Sequence, residues 1–343
     1  MTTFAHPLSD PEDRQSVNLC DVTVIIPAWN ATATLARAVD SALTQTDVRV
    51  QVIIIDDRST DDTLALARAL ADRDARVTVL AQPTNSGPAA ARNAGLARAG
   101  GRFVAPLDSD DFMTPGRMAA LVALANDGAW DFVADDLWQI NEGEDAQTAP
   151  RRRLFSDTAV GVEKIALGGF VRGNMTETHG GRREIGFLKP LMRRSFLEAH
   201  NLRYRDDMRL GEDYDFYATA LLRGAKFCLT DPKGYIAVVR PGSLSGHHDA
   251  AALLALVHAD DRLLCDPALT ATDAPIVQAH RIETLKRWAW LELIEAVRVK
   301  DVRRGVGAFA APVAVQASLL GKLGEQVLVR SGATITRLMG RSA

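Results

Sequence analysis

Two groups of carboxylates carry most of the chemistry that this sequence can do. Residues 103–111 read FVAPLDSDD, a short apolar run closing on Asp108, Ser109, Asp110 and Asp111. Carboxylates crowded this closely repel one another and keep their charge most easily with a positive group between them. A hard divalent cation, Mg²⁺ or Mn²⁺, held by one or two carboxylates and a substrate diphosphate, answers that need. The alternative is a solvated acidic turn. The second group, Glu212, Asp213 and Asp215, opens a stretch with helical character over 212–223. Acids favour the first turn of a helix through its dipole, and a carboxylate placed there can also take a proton from a hydroxyl. Successive helical residues point about 100° apart, so Glu212 and Asp213 are not expected to face one cleft together. Asp213 shares its face with Phe216 and Tyr217.

These residues need a scaffold, and the first 110 residues supply its pattern. Val22–Ile26 and Val52–Ile55 are near-continuous β-branched runs, which is how strands buried on both faces of a parallel sheet read. Val77–Leu80 and the apolar half of 103–111 follow. Between them, Leu35, Val39, Ala42 and Leu43 fall at helical spacing within 32–46, residues 61–71 look helical, and Pro88 suits the first turn of an Ala-rich helix ending near Ala99. Strand and helix alternate, which predicts an α/β domain with a parallel sheet and right-handed crossovers. Ligands in such sheets bind beyond the carboxyl ends of the strands, where Pro27, Asp57 and Asp108 fall. The turn after the first strand reads PAWNATATL and has no glycine, so a dinucleotide fingerprint is excluded, and no GxxxxGK[ST] phosphate loop occurs. A metal held by Asp110 takes the place of a glycine cradle.

VIIPAWN (24–30), IIIDDRSTDDT (53–63), NSGPAAARNAGL (85–96), LDSDD (107–111) and LGEDYDFY (210–217) occur in that order. Together, over roughly residues 20–245, they resemble family 2 glycosyltransferases of the GT-A fold, and most of all the single-addition enzymes of bacterial exopolysaccharide (succinoglycan-type) assembly. The resemblance implies a Rossmann-like, mostly parallel sheet flanked by helices, and roles position by position. Pro27, Ala28 and Asn30 line the nucleotide pocket. Asp57 accepts a hydrogen bond from the uracil or ribose. Gly87 and Arg92 lie beneath the nucleoside, against the alternative that Arg92 is a surface helix arginine. Asp108 and Ser109 hold the ribose or donor sugar. Asp110 is the direct ligand of Mn²⁺ or Mg²⁺, with Asp108 beside it. Asp111 braces the turn or caps the next helix, expected to start near Pro115. Asp213 is the general base and Glu212 orients it. The implied reaction is an inverting displacement on a nucleotide sugar, with UDP-glucose the first candidate donor, UDP-galactose and UDP-N-acetyl sugars behind it, and a lipid-linked saccharide as acceptor.

Residues 239–248, VRPGSLSGHH, are a candidate lid over the diphosphate, with Arg240, Ser243 and His247 as contacts and His247 or His248 as a further ligand; the alternative is a surface loop. The polar stretch 172–190, with Asn174, Glu177, His179, Arg182 and Arg183, is the candidate acceptor side.

The expected organisation is a tail over 1–19, a catalytic domain over 20–248 whose halves are 20–111 and 112–248, and a helical region over 249–343. The 343 residues carry a net charge of −3, which does not point to a nucleic-acid partner. Cys20, Cys228 and Cys265 are scattered and read as reduced thiols, and the opening MTTFAHPLSDPEDRQ lacks a secretory pattern, so a cytoplasmic location is expected. Residues 281–343 hold eleven Lys and Arg against five Asp and Glu, and 305–321 carry no charge. Such a tail suits the surface of an anionic membrane; packing on the core or on a twin subunit is the alternative. Processive synthases of the family carry QxxRW and several spans, whereas this chain has only TLKRW at 284–288, which points to one sugar per encounter. Two other classes stay open: a sugar-phosphate nucleotidyltransferase, and a non-catalytic sugar-nucleotide-binding or scaffold protein.

Overall fold

The computed structural model describes residues 20–145, 148–175, 185–240 and 249–339. The chain divides into two compact units, 1–243 and 244–343.

The first unit is built on an eight-stranded sheet. Strands β1 (Val22–Ala28), β2 (Val50–Asp56), β3 (Val77–Ala81) and β4 (Phe103–Pro106) pair in parallel in the order β3-β2-β1-β4. The apolar runs of β1, β2 and β4 are buried on both faces because helices α1 (Leu35–Leu43), α2 (Thr63–Arg73) and α3 (Pro88–Arg98) follow the strands and cover the sheet, whereas β3, at its edge, stays partly exposed. The strand order turns back beside β1: β2 and β3 lie on one side and β4 on the other. That reversal leaves a crevice beyond the carboxyl ends of β1 and β4. Ala28 faces Asp56 across the β1–β2 ladder, and Leu107 N–H donates to the Ile25 carbonyl at 3.0 Å, so the strand exits sit level.

Helix α3 seats tightly on this sheet. A methyl group at Gly95 would come within 2.6 Å of Ile25 Cγ2 and 3.0 Å of Ile55 Cδ1. Glycine is a poor helix former; here the close approach requires it.

The rest of the sheet adds the antiparallel strands of the expected mostly parallel architecture. Beyond a short β5 (Phe112–Met113) and helix α4 (Arg117–Asp127) come β6 (Phe132–Asp135), β7 (Trp138–Asn141), β8 (Arg152–Arg153), β9 (Val162–Ile165), helix α5 (Leu167–Gly173), β10 (Leu191–Arg193), helix α6 (Arg194–Ala199), helix α7 (Glu212–Leu222), β11 (Phe227–Thr230) and β12 (Tyr235–Val239). The large sheet continues β4-β10-β6-β11-β9, with β10 antiparallel to both its neighbours and β9 antiparallel to β11. A second sheet, β5-β12-β7-β8, has no counterpart in the sequence reading. Its strands are two to five residues long, too short to show a period. Under this half lies an aromatic cluster in which Phe132 meets Phe196, Phe216, Tyr217 and Phe227 at centroid distances of 5.5–6.5 Å.

The second unit is helical: α8 (Ala250–Cys265), α9 (Ala274–Val299), α10 (Val302–Gly307) and α11 (Val313–Met339). Asp249 and Asp301 cap α8 and α10 by accepting from the Ala252 and Arg304 amides at 2.7 and 2.9 Å. Val257, Leu285, Ala289, Leu293, Ala308, Val315 and Leu319 form its core. Inside it, Asp260 meets His280 at 2.7 Å, and Arg304 binds Glu292 and Glu295. The uncharged stretch 305–321 is divided between α10, a turn at Pro312 and α11. No described helix is long and apolar enough to cross a membrane.

Candidate active site

Both carboxylate groups arrive in one place, on two buried cations. Asp108 lies just beyond β4, and Glu212 and Asp213 form the first turn of α7. That turn is buried outright: Glu212, Asp213 and Asp215 are at most 8 % exposed. Arg92, from the middle of α3, reaches across with its guanidinium. It donates to Glu212 Oε1 at 2.6 Å and to Asp108 Oδ1 at 3.0 Å, stands 3.7 Å from Asp213 Oδ1, and lies over the Tyr204 ring. Arg92 is 4 % exposed, so the surface-arginine reading is set aside: an apolar Ala-rich helix carries one long charged side chain inward because three carboxylates wait for it. The expectation that Glu212 and Asp213 face different ways fails for a related reason. Both carboxylates approach the same Arg92 Nη1, Glu212 within hydrogen-bond distance and Asp213 at 3.7 Å. Lys189 is the second cation. Its ammonium sits 2.9 Å from Asp213 Oδ2 and 3.1 Å from Asp108 Oδ2.

The electrostatics follow. Burial alone would raise the Asp108 carboxyl, but Lys189 and Arg92 overcome it and hold the group down at about 2. Burial pushes Glu212 up, with Arg92 opposing and Asp213 adding to the rise. Burial would lower Lys189, yet Asp108 and Asp213 drive it above the ordinary lysine range. Among the described residues Asp110 and Asp111 have no cation within hydrogen-bond distance of their carboxylates. Burial and the neighbouring Asp108 raise Asp110, which Arg240 opposes from 3.9 Å. Asp111 is pushed well up by burial, Asp108 and Asp110. It accepts from Tyr235 Oη and from the Val238 amide, both at 2.8 Å. It therefore braces β12 and does not cap α4, whose N-cap is Gly116 in the left-handed region at φ 84°.

Such crowding fits a divalent cation. Among the described residues no three His, Cys, Asp or Glu side chains form a protein cage. Both Asp108 oxygens already face cations, whereas the Asp110 carboxylate is over a third exposed.

Around the crevice, Asp57 N–H donates to the Ala28 carbonyl, and its carboxylate accepts from the Ser86 and Gly87 amides at 2.8 Å each. Gly87, at φ 88°, turns the chain into α3. Asn30 lies outward at φ 49°, its side-chain oxygen accepting from Thr60 N at 2.8 Å, so it braces the loop after β2. Pro27 and Ala28 end β1, and Ser109 is half-buried in the turn after β4. Asn174 is turned to its own helix and to Gly186. Ser243, His247, His248, Glu177, His179, Arg182 and Arg183 fall outside the described residues.

Several residues escaped the sequence reading. Trp29, 52 % exposed at the exit of β1, is a large aromatic left open beside the crevice. Arg37 donates to the Asp110 carbonyl at 2.8 Å. Arg117 is wholly buried against Asp135 at 2.7 Å and donates to the Lys189 carbonyl at 2.6 Å. Lys189 and Arg117 had a signal, each being a lone cation between apolar residues in FLKPLM and GRMAAL.

The family model for glycosyl transferase family 2 matches residues 23–198. The chain belongs to glycosyltransferase family 2. It is 41 % identical over 307 residues to the succinoglycan biosynthesis protein ExoU of Rhizobium meliloti (strain 1021), covering 89 % of this chain and 88 % of that one. Among solved structures, the S. aureus TarS 1–349 complex with UDP-GlcNAc superposes with a TM-score of 0.58 at 18 % identity, over 84 % of this chain and 90 % of that one. The mannosyltransferase PcManGT from Pyrobaculum calidifontis, in complex with GDP-Man and Mn²⁺, gives 0.54 at 18 % identity, over 93 % and 83 %. This family 2 enzyme therefore has the GT-A fold, with a helical C-terminal region.

Proposed function

We propose that this glycosyltransferase moves one sugar per encounter from a nucleotide-sugar donor, UDP-glucose first among candidates, to a lipid-linked saccharide in exopolysaccharide assembly. The similarity to a succinoglycan biosynthesis protein along most of both chains supports the setting. The observation that carries the chemistry is the joining of Asp213 and Asp108 through the same two cations, Arg92 and Lys189.

Trp29 offers a π-face to the base, and Asp57 holds the 84–87 loop against the nucleoside while retaining lone pairs to accept from it. Asp108 orients the ribose or donor sugar. Asp110, with Asp108 beside it, would hold Mn²⁺ or Mg²⁺, and Arg240 adds positive charge from the end of β12. When bound, that cation supplies charge neutralisation for the departing diphosphate. A sugar hydroxyl is a weak nucleophile, so Asp213 takes its proton as the new bond forms to the anomeric carbon and the diphosphate leaves. One base and no enzyme nucleophile make the displacement direct, so an α-linked donor yields a β-linked product.

Titration calorimetry with UDP and UDP-glucose, with and without Mn²⁺, tests the donor site. Metal-dependent binding that disappears in Asp110→Ala is expected. No binding of any nucleoside diphosphate in the presence of metal would refute the reading and put a non-catalytic scaffold first.

A second reading concerns the C-terminal unit. Val297, Val299, Val302, Val306 and Val313 are each more than 60 % exposed, in a region with surplus basic residues. This combination suits peripheral contact with an anionic lipid surface, where a lipid-linked acceptor resides.

A further inference from the structure

Lys189 joins Asp108 to Asp213 but takes no step of its own in the transfer, and it is one of the most constrained side chains in the site. It is 4 % exposed. Its main chain is pinned on both sides of the α-carbon. The Lys189 carbonyl accepts from the buried Arg117 at 2.6 Å, and the preceding Leu188 carbonyl accepts from Tyr217 Oη at 3.1 Å. Tyr217 stands one turn along α7 from Asp213, so the helix that carries Asp213 also holds the segment that carries Lys189. From this anchored position the ammonium spans the two sides of the site, Asp213 Oδ2 at 2.9 Å and Asp108 Oδ2 at 3.1 Å.

The two oxygens of Asp213 are thereby made unequal. Oδ2 is taken by Lys189. Oδ1 is buried with no hydrogen-bond partner among the described residues, Arg92 Nη1 being 3.7 Å away and beyond hydrogen-bond reach. A buried carboxylate oxygen left unpaired is costly, and Arg92 is near enough to collect it if the carboxylate were free to turn. Lys189 prevents that turn.

We propose that Lys189 is a positioning residue for sugar transfer: it clamps Asp213 by one oxygen so that the other keeps its lone pairs uncommitted for the acceptor hydroxyl, and it fixes that oxygen relative to Asp108 on the donor side. The inference rests on the proposed role of Asp213 as general base. Without the ammonium, Asp213 closes onto Arg92 and its uncommitted oxygen is lost. Asp108 keeps Arg92, so nucleotide binding survives. A compact ammonium with three donors suits two carboxylates on different elements, whereas a planar guanidinium would impose its own fork.

The test uses the full chain. Nucleoside diphosphate release is followed with UDP-glucose, UDP-galactose, UDP-GlcNAc and GDP-mannose in turn, with Mn²⁺ present and water as acceptor, in the wild type, Lys189→Met, Asp213→Asn and the double variant. UDP and GDP affinities are measured by calorimetry. General acid–base assistance contributes about 10²–10⁴-fold. Lys189→Met is therefore expected to slow turnover at least about tenfold while nucleotide affinity stays within about threefold. In the Asp213→Asn background it should cost nothing further, because residues acting as a unit are non-additive. Losses that multiply, or turnover by Lys189→Met within threefold of wild type, would overturn the inference. Should Lys189→Met not fold, Lys189→Gln carries the same test; failure of both to fold would make Lys189 a structural residue and also overturn it. A wild-type rate with unchanged turnover in Asp213→Asn would instead sink the general-base reading, and no turnover of any of these donors would sink the proposed donor class and, with it, the inference.

Discussion

Replacing Arg92 by methionine should be among the most damaging single changes in the first unit. Methionine retains the length of the side chain and removes a charge that meets Glu212 at 2.6 Å, Asp108 at 3.0 Å and Asp213 at 3.7 Å. Breaking a buried ion pair from one side costs about 3–5 kcal/mol, because the abandoned charge stays buried. Asp108 and Asp213 keep Lys189, so Glu212 bears most of the loss. For a unit of this size about 2–4 °C of Tm accompany each kcal/mol, giving a fall of roughly 6–20 °C. The deficit should depend on pH in a stated direction. Burial already raises the Glu212 carboxyl, and Arg92 is the group that opposes the rise; its removal lifts the folded-state value further above the unfolded one. A carboxyl raised on folding binds its proton more tightly when folded, so stability is greatest at low pH and is lost as pH climbs through the folded value. The gap between variant and wild type should therefore be widest near pH 8 and narrow toward pH 5.5. Urea unfolding at the two pH values measures it. A loss under about 1 kcal/mol would contradict the buried-pair cost, and a gap independent of pH would remove Glu212 as the abandoned partner.

Gly95→Ala should destabilise by about 1–3 kcal/mol through overpacking against Ile25 and Ile55, despite the better helix propensity of alanine; a stabilised variant in urea unfolding would contradict the fit of α3 to the sheet. Asp213→Asn should lower turnover by about 10²–10⁴ with nucleotide affinity retained, read by diphosphate release and calorimetry. Trp29→Ala should weaken UDP binding by the roughly 1–3 kcal/mol that stacking on a base contributes, without changing the fold by circular dichroism. Val302→Glu combined with Val306→Glu should reduce flotation with phosphatidylglycerol vesicles by about tenfold or more; equal flotation would remove these valines from the lipid contact.

The parallel half of the fold was open to reading because buried strands announce themselves: Val22–Ile26 and Val52–Ile55 have no alternative use for so many β-branched residues. The carboxylates gathered in the candidate site were visible for a similar reason, since Asp108 and Asp110 after β4 and Asp213 at the start of α7 stand in short, dense acidic runs. What stayed hidden depends on partners distant in sequence. Lys189 makes sense only beside Asp108 and Asp213, and Arg117 only beside Asp135 and the Lys189 carbonyl. Neither has a local period or cap to betray it. The small sheet escaped because β5, β7, β8 and β12 are too short for alternation, and β10 because three residues, Leu191–Arg193, show no period and nothing local marks their antiparallel place between β4 and β6.

The bonds of Asp111 to Tyr235 and to the Val238 amide set terms for recombination between relatives. They join the turn after β4 to the strand that delivers Arg240, more than a hundred residues later in the chain. A chimera that imports residues 103–113 without 235–240 separates a buried acid from both its donors and resets the approach of Arg240 to Asp110. Exchanged as a pair, the two segments travel with their internal partners intact. The natural crossover unit around this turn is thus discontinuous, and libraries cut at single points along the sequence will mostly sample its broken forms.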